Sequence, residues 1–205
     1  MKLEKNYNSL LFEAIEFANW AYRKKKRKLT DAPYVAHPFH VMMLLLFYGV
    51  TPHKIDGLII LIAGLLHDAL EDNPEEVTFD LIREKFGEEV AKIVLGVTLD
   101  PANNDKRLSR KKILGSDWKI RIIKVADILS NTMSTISGIE KLGLEKVQKS
   151  FSQPIADRIS MEREFLESAL HLNESGRIEY QALSQLRIKA LKAIDELKAM
   201  TKKVE

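Results

Sequence analysis

The sequence predicts an all-α fold, a helical bundle of about eight to ten helices. Three observations point there. Apolar residues recur at helical spacing along most of the chain, and no stretch alternates convincingly between apolar and polar residues. Start and stop signals punctuate the apolar runs, with Pro38 and Pro52 at starts and Gly49, Pro74 and Gly87 at stops.

The first helix is read over residues 8–28, NSLLFEAIEFANWAYRKKKRK, with Leu11, Ile15, Ala18 and Tyr22 on one stripe. The loop LTDAPYVA follows. His37-Pro38 opens a second helix, Pro38 holding a first-turn position where its missing N–H costs nothing. VMMLLLFY carries that helix to a stop at Gly49. Thr51-Pro52 repeats the start signal and opens a long helix through IDGLIILIAGLLHDALED, which Asn73-Pro74 ends. Thr78 caps a helix over FDLIREKF up to Gly87, and EEVAKIVLGVT forms the next. DPANNDKRLS, residues 100–109, is the clearest loop, and KIRIIKVADILSNTMSTI is a strongly apolar helix around Asp127. Two amphipathic helices, PIADRISMEREFLESALHL and IEYQALSQLRIKALKAIDELKAM, complete the bundle from about Gln153. The last carries a stripe of Ile178, Leu183, Leu186, Leu191, Ile194 and Leu197. That stripe can bury against its own bundle or a second copy, so a homo-oligomer stays open. With no internal repeat, the chain is taken as one domain over residues 1–205.

Composition narrows the class. Hydrophobic residues make up 45% and charged residues 30%, with a net charge of only +3. That balance does not announce a nucleic-acid binder, although RKKKRK at 23–28 is a dense basic run. Cysteine is absent, which excludes a disulfide framework and every thiolate metal site. The N-terminus has acids at Glu4, Glu13 and Glu16 and no signal-peptide core. The longest uncharged apolar run, Gly57 to Leu66, is about half of the ~20 residues a bilayer span requires. A soluble, cytoplasmic protein is expected.

The stretch LLHDALEDN, residues 65–73, ends one of the greasiest segments of the chain in an imidazole and three acids. On a continuous helix at ~100° per residue, Glu71 lies about 40° from His67, Asp68 about 100° and Asp72 about 140°. Uncompensated charges so close to buried surface are costly, and a divalent cation would offset them. A helix simply emerging into solvent with an acidic last turn is the plain alternative. Two further residues weigh against it. His37 begins another helix in PYVAHP, and Asp127 interrupts the apolar RIIKVADILSN, where a lone buried acid needs a partner. Asn131 and Ser134 follow Asp127 on the same face. Two histidines and two aspartates form a mixed N/O set suited to Mn²⁺, Fe²⁺ or Zn²⁺.

The pattern His…His-Asp…Asp resembles the signature of the HD-domain metal-dependent phosphohydrolases. PYVAHPFHV, AGLLHDALED, FGEEVAKIVLGVT and KVADILSN are similar in order and spacing to blocks of the (p)ppGpp hydrolase domain of RelA/SpoT homologues. They are closest to its stand-alone form, the Mesh-type small alarmone hydrolases, and the resemblance covers roughly residues 10–150. It implies an HD-domain bundle in which His37, His67, Asp68 and Asp127 hold the metal, typically Mn²⁺. It makes Glu71 and Asp72 the catalytic pair that activates or positions water, a task suited to carboxylates one turn beyond the ligands. It assigns the substrate's base and phosphates to Arg27 and Lys28 and a nucleotide contact to Asn131, while Ser134 falls where a threonine is common. The implied reaction removes the 3′-diphosphate of ppGpp or pppGpp, giving GDP or GTP and pyrophosphate. Nothing resembling a synthetase domain is found, and the segment after 150 reads as helices completing the bundle. The expected partner is a small-molecule nucleotide, not a membrane or nucleic acid.

The outer shell departs from the family pattern. Leu29 stands where lysine is expected if Lys28 takes the arginine position. Ile128 and Ser130 replace Arg and His of ADRLHN, and Met133 stands where arginine is frequent. A second reading therefore keeps the fold and metal but changes the substrate to another nucleotide or phosphate ester. A third is a non-catalytic module that uses RKKKRK to hold an anionic partner. Arg110, Lys111 and Lys112 read either as compensating phosphate contacts or as a solvated helix start. His40, His53 and His171 match no ligand position, and Trp20 and Trp118 read as packing aromatics.

Overall fold

The computed structural model describes residues 7–98, 106–170 and 178–202. They form α1 (Tyr7–Ala21), α2 (Ala36–Phe47), α3 (Ile55–Leu66), α4 (Ala69–Asp72), α5 (Phe79–Phe86) and α6 (Glu88–Val97). α7 (Lys106–Leu114), α8 (Trp118–Leu142), α9 (Leu144–Lys149), α10 (Ile155–Ser168) and α11 (Ile178–Lys202) follow. α4 is a single turn of 4 residues. Among the described residues the one β-type pairing is an isolated antiparallel bridge between Lys26 and Pro33, so the fold is all-α.

α3 is the central rod. It is apolar on nearly every face, and Leu58, Ile60, Leu61, Ile62, Ala63, Leu65 and Leu66 are buried among α1, α2, α6 and α8. Its start is fitted closely to the preceding turn: a Cβ on Gly57 would lie 1.9 Å from the Thr51 carbonyl oxygen. α11 lies along α8 and α10 and buries Leu183, Leu186, Ile194 and Leu197 there, with Leu191 partly covered. This settles where those stripe residues go: they pack on the chain's own bundle. No described helix is long and apolar enough to cross a membrane.

Several boundaries follow the expected signals. The Thr78 hydroxyl accepts the Leu81 N–H at 3.2 Å, capping α5. Gly87, at φ 94°, turns the chain from α5 into α6 in a backbone region that disfavours other residues. Trp118 is buried, whereas Trp20 is partly exposed against Phe17.

Other boundaries differ from the sequence reading. The first helix ends at Ala21 instead of running to residue 28. Six consecutive cations repel along a helix, and the chain instead doubles back. The Arg27 N–H donates to Ala32 O at 2.8 Å, and the Tyr34 N–H donates to Lys25 O at 3.0 Å. The long helix through LLHDALED is also interrupted. α3 stops at Leu66, and the N–H groups of Glu71 and Asp72 both donate to Asp68 O, at 3.1 and 2.8 Å. The expected loop at 100–109 is shorter on its C-terminal side, because α7 begins at Lys106; residues 99–105 lie outside the described residues. α9 is an additional short helix, and His171 lies outside the described residues.

Candidate metal centre

His37 stands in the first turn of α2, His67 and Asp68 at the α3–α4 break, and Asp127 midway along α8. The bundle brings all four together. His37 Nε2 lies 3.1 Å from Asp127 Oδ1 and 3.6 Å from Asp68 Oδ2. His67 Nε2 lies 3.1 Å from Asp68 Oδ2 and 3.8 Å from Asp127 Oδ1. One donor atom each from His37, His67 and Asp127 fall within 4.8 Å of one another.

Each of these side chains is oriented by a further group. His67 Nδ1 lies 2.8 Å from the Gly64 carbonyl, which only accepts, so Nδ1 carries a proton and, once the ring is neutral, Nε2 is the atom that offers a lone pair. That Nε2 is buried and makes no hydrogen bond. Asp127 Oδ1 accepts from Asn131 Nδ2 at 2.6 Å and Oδ2 from Lys124 Nζ at 2.7 Å. The Tyr34 hydroxyl donates to Asp68 Oδ2 at 2.8 Å. Ser130 Oγ lies 3.0 Å from both His37 Nδ1 and His40 Nδ1. If His37 offers Nε2 to a metal, its Nδ1–H donates to Ser130, and Ser130 can donate onward to His40.

The electrostatics favour a cation. Burial pushes the Asp127 carboxyl up, but Lys124 and the two histidines hold it well below the usual range. Asp68 is only partly buried; desolvation pushes its carboxyl up as well, but His67 chiefly holds it low. Burial pushes the His67 imidazole down, but Asp68 and Asp127 overcome it, leaving it at about 9. Two ionised carboxylates therefore draw positive charge to this place, a proton on the His67 ring or a cation bound in its stead. The orphaned nitrogen and the N/O donor set fit a divalent ion.

The other predicted residues separate. Asp72 is partly buried, with Oδ1 ion-paired to Lys25 and Oδ2 buried without a hydrogen bond. Burial pushes its carboxyl up against the pull of Lys25, and Asp68 adds to the push. Glu71 is solvent-exposed in the single turn of α4. Arg27, Lys28, Asn131 and Ser134 all line one cavity of ≈ 300 Å³ that is also bounded by Asp127. In it Arg27 Nη2 donates to Ser134 Oγ at 3.0 Å. Of the altered positions, Leu29 lines this cavity, Ile128 is buried and Met133 is exposed.

The basic run does not continue the helix, and although most of it stays exposed, three of its side chains are paired. Arg23 Nη2 donates to both Glu76 carboxylate oxygens at 2.7 and 2.9 Å, Lys24 joins it at 3.1 Å, and Lys25 holds Asp72. Arg110 is neither a free phosphate contact nor solvated, since it is buried in an ion pair with Glu162 across α7 and α10. Lys111 and Lys112 are exposed. Sequence reasoning missed Tyr34 and Lys124, and it set aside His40, which meets Ser130 in the structure. Tyr34 lay inside a quoted block and Lys124 sits one turn before Asp127, so both were within reach of it.

An all-helical bundle that gathers two histidines and two aspartates from three helices has the architecture of a metal centre of the HD type. A family model for the HD domain matches residues 14–158, and the chain belongs to that family. It is 33% identical over 156 residues to the guanosine-3′,5′-bis(diphosphate) 3′-pyrophosphohydrolase of Aquifex aeolicus, covering 72% of this chain and 21% of that protein. It is 31% identical over 127 residues to the guanosine-3′,5′-bis(diphosphate) 3′-pyrophosphohydrolase MESH1 of Danio rerio, covering 60% of this chain and 67% of that protein. The chain spans about a fifth of the length of the first curated relatives it matches. A solved structure described as a metazoan ortholog of SpoT that hydrolyzes ppGpp superposes with a TM-score of 0.65 at 22% identity. That match covers 89% of this chain and 97% of the other, and supports the fold.

Proposed function

We propose that this chain is a metal-dependent phosphohydrolase that removes the 3′-diphosphate of guanosine 3′,5′-bis(diphosphate) or its pentaphosphate form, yielding GDP or GTP and pyrophosphate. The observation that carries the reading is the buried, unbonded His67 Nε2 beside ionised Asp68 and Asp127, at the edge of a cavity walled by cations. Relatives named for this reaction support the substrate.

In this reading His37, His67, Asp68 and Asp127 hold the ion, with Mn²⁺ favoured and Fe²⁺ or Zn²⁺ compatible with the same donors. Such an ion acidifies water and neutralises charge on phosphoryl oxygens. Lys124, Asn131 and Tyr34 fix the two carboxylates. Asp72 and Glu71 are the candidates for orienting the attacking water and taking its proton, and Lys25 holds Asp72 in place. Arg27, Lys28, Asn131 and Ser134 receive the nucleotide. Residues 1–205 form one functional unit, the C-terminal helices completing the bundle. A second reading, another nucleotide or phosphate ester at the same centre, is favoured by Leu29, which places an apolar side chain in the cavity wall.

A panel of nucleotides incubated with the Mn²⁺-loaded protein tests the proposal. Pyrophosphate release from guanosine 3′,5′-bis(diphosphate) is expected. Turnover of a different nucleotide without it would favour the second reading. Glu71→Gln should keep its metal while losing roughly 10²–10⁴ in rate if Glu71 is the general base; a metal-loaded variant with full turnover would transfer that role to Asp72.

A further inference from the structure

α3 stops at Leu66, inside the segment that carries His67 and Asp68. The last carbonyls of a helix lack the N–H groups that a continuing helix would bring, and other donors serve them instead. At this end two side chains do so. His67 Nδ1 meets Gly64 O at 2.8 Å, and the Tyr22 hydroxyl donates to Leu65 O at 3.3 Å. His67 belongs to the break itself. Tyr22 is the residue directly after α1, and it is only 2% exposed.

The same end of α1 holds the far side of the segment. Asn73, buried and directly after α4, donates from Nδ2 to Ala21 O at 3.2 Å and to Glu76 Oε2 at 2.9 Å. Ala21 and Tyr22 therefore bond to Asn73 and Leu65, the last and first residues of LLHDALEDN. Between these anchors lie His67, Asp68 and Asp72. α4 has only the N–H groups of Glu71, Asp72 and Asn73 to close its turn, and so short a helix does not hold itself in water. The Tyr22 ring lies 5.6 Å from that of Tyr34, whose hydroxyl donates to Asp68 Oδ2. Burial and the carboxylates of Asp68 and Asp72 raise the Tyr22 hydroxyl well above the usual tyrosine range, against the Asp68 backbone, so it stays a protonated donor. Deleting that hydroxyl leaves the Leu65 carbonyl short of a partner.

We propose that the end of α1 brackets LLHDALEDN at both ends, and that Tyr22 is a positioning residue for His67 and Asp68. It acts through the backbone from which those two side chains project. Its role toward an ion rests on the metal-dependent reading above; the bracket itself rests on the two anchors.

Two measurements on the full chain test it. Amide hydrogen exchange is first followed by NMR in the metal-free protein, with chelator present. Tyr22→Phe keeps the ring and removes only the hydroxyl. It should speed exchange at the Asp72 amide about tenfold more than in the middle of α8, the worth of one hydrogen bond. Equal changes at both places, or none, overturn the bracket, because a general loss of stability moves both alike. If Tyr22→Phe fails to fold, Asn73→Ala releases the other anchor and should show the same local pattern at Asp72. Mn²⁺ binding to the folded proteins is then measured by calorimetry. Tyr22→Phe should bind about tenfold more weakly than the wild-type chain. Unchanged affinity overturns the positioning role, even where local exchange is faster. A wild-type chain that binds no divalent ion, with the local exchange result intact, would instead remove the metal reading and leave the bracket standing.

Discussion

Asp127 would be a costly acid to bury alone, and the structure gives it four neighbours that make its charge tolerable: Lys124, Asn131, His37 and His67. Removing Asp68, which faces both histidines, should abolish divalent-ion binding in Asp68→Ala, measured by calorimetry. Protons compete for the same place. In the metal-free protein His67 is raised from its ordinary 6.5 to about 9, so its contribution to stability is complete below about pH 6.5 and lost as pH rises through about 9. Thermal melts in chelator should fall across that window, while apparent ion affinity should climb across it because the imidazole must be neutral to bind. Ser130→Ala should lower ion affinity by about 10–100-fold with the fold intact, since His37 Nδ1 loses its partner; unchanged affinity would mean that Ser130 does not orient His37. The ligand residues were legible because each breaks an apolar pattern or opens a helix. Ser130 was visible only as a departure from a family pattern, because one sequence does not show which ring its hydroxyl meets.

At the scale of elements, helical periodicity located most of the rods, and caps such as Thr78 set their starts. It failed where charge or a local hydrogen bond competes with the helix. The break at His67–Asp68 is such a case: a continuous helical wheel puts Glu71 beside His67, whereas in the structure α3 ends at Leu66, Glu71 is exposed and Asp72 pairs with Lys25. The basic run likewise looked like a continuation of α1 until its acidic partners, 47–53 residues away, were in view. Gly57 carried no signal in the sequence beyond its type. Gly57→Ala should destabilise the protein by about 1–3 kcal/mol, measured by denaturant unfolding, because the new methyl group meets the Thr51 carbonyl and α3 must shift. An unchanged unfolding midpoint would show that the turn before α3 gives way freely.

At the scale of the molecule, α8 joins the two halves of the site. One part of it supplies Asp127 to the metal centre, Asn131 and Ser134 follow toward the cavity, and α11 covers much of its length. That arrangement was only partly legible, since periodicity assigns a stripe to α11 but does not name the surface it covers. The donors His37, His67 with Asp68, and Asp127 belong to segments far apart in sequence, and the unfolded chain holds no such cluster. An ion seated there therefore acts as a staple across α2, the α3–α4 junction and α8, and its binding free energy becomes folding free energy. Saturating the protein to 100 times the dissociation constant should add about 2.7 kcal/mol of stability, read as a rise in Tm that grows with the logarithm of ion concentration. A chelator should reverse the shift, and Asp68→Ala should show none. Ion supply would then govern how long the folded chain survives as well as whether it turns over.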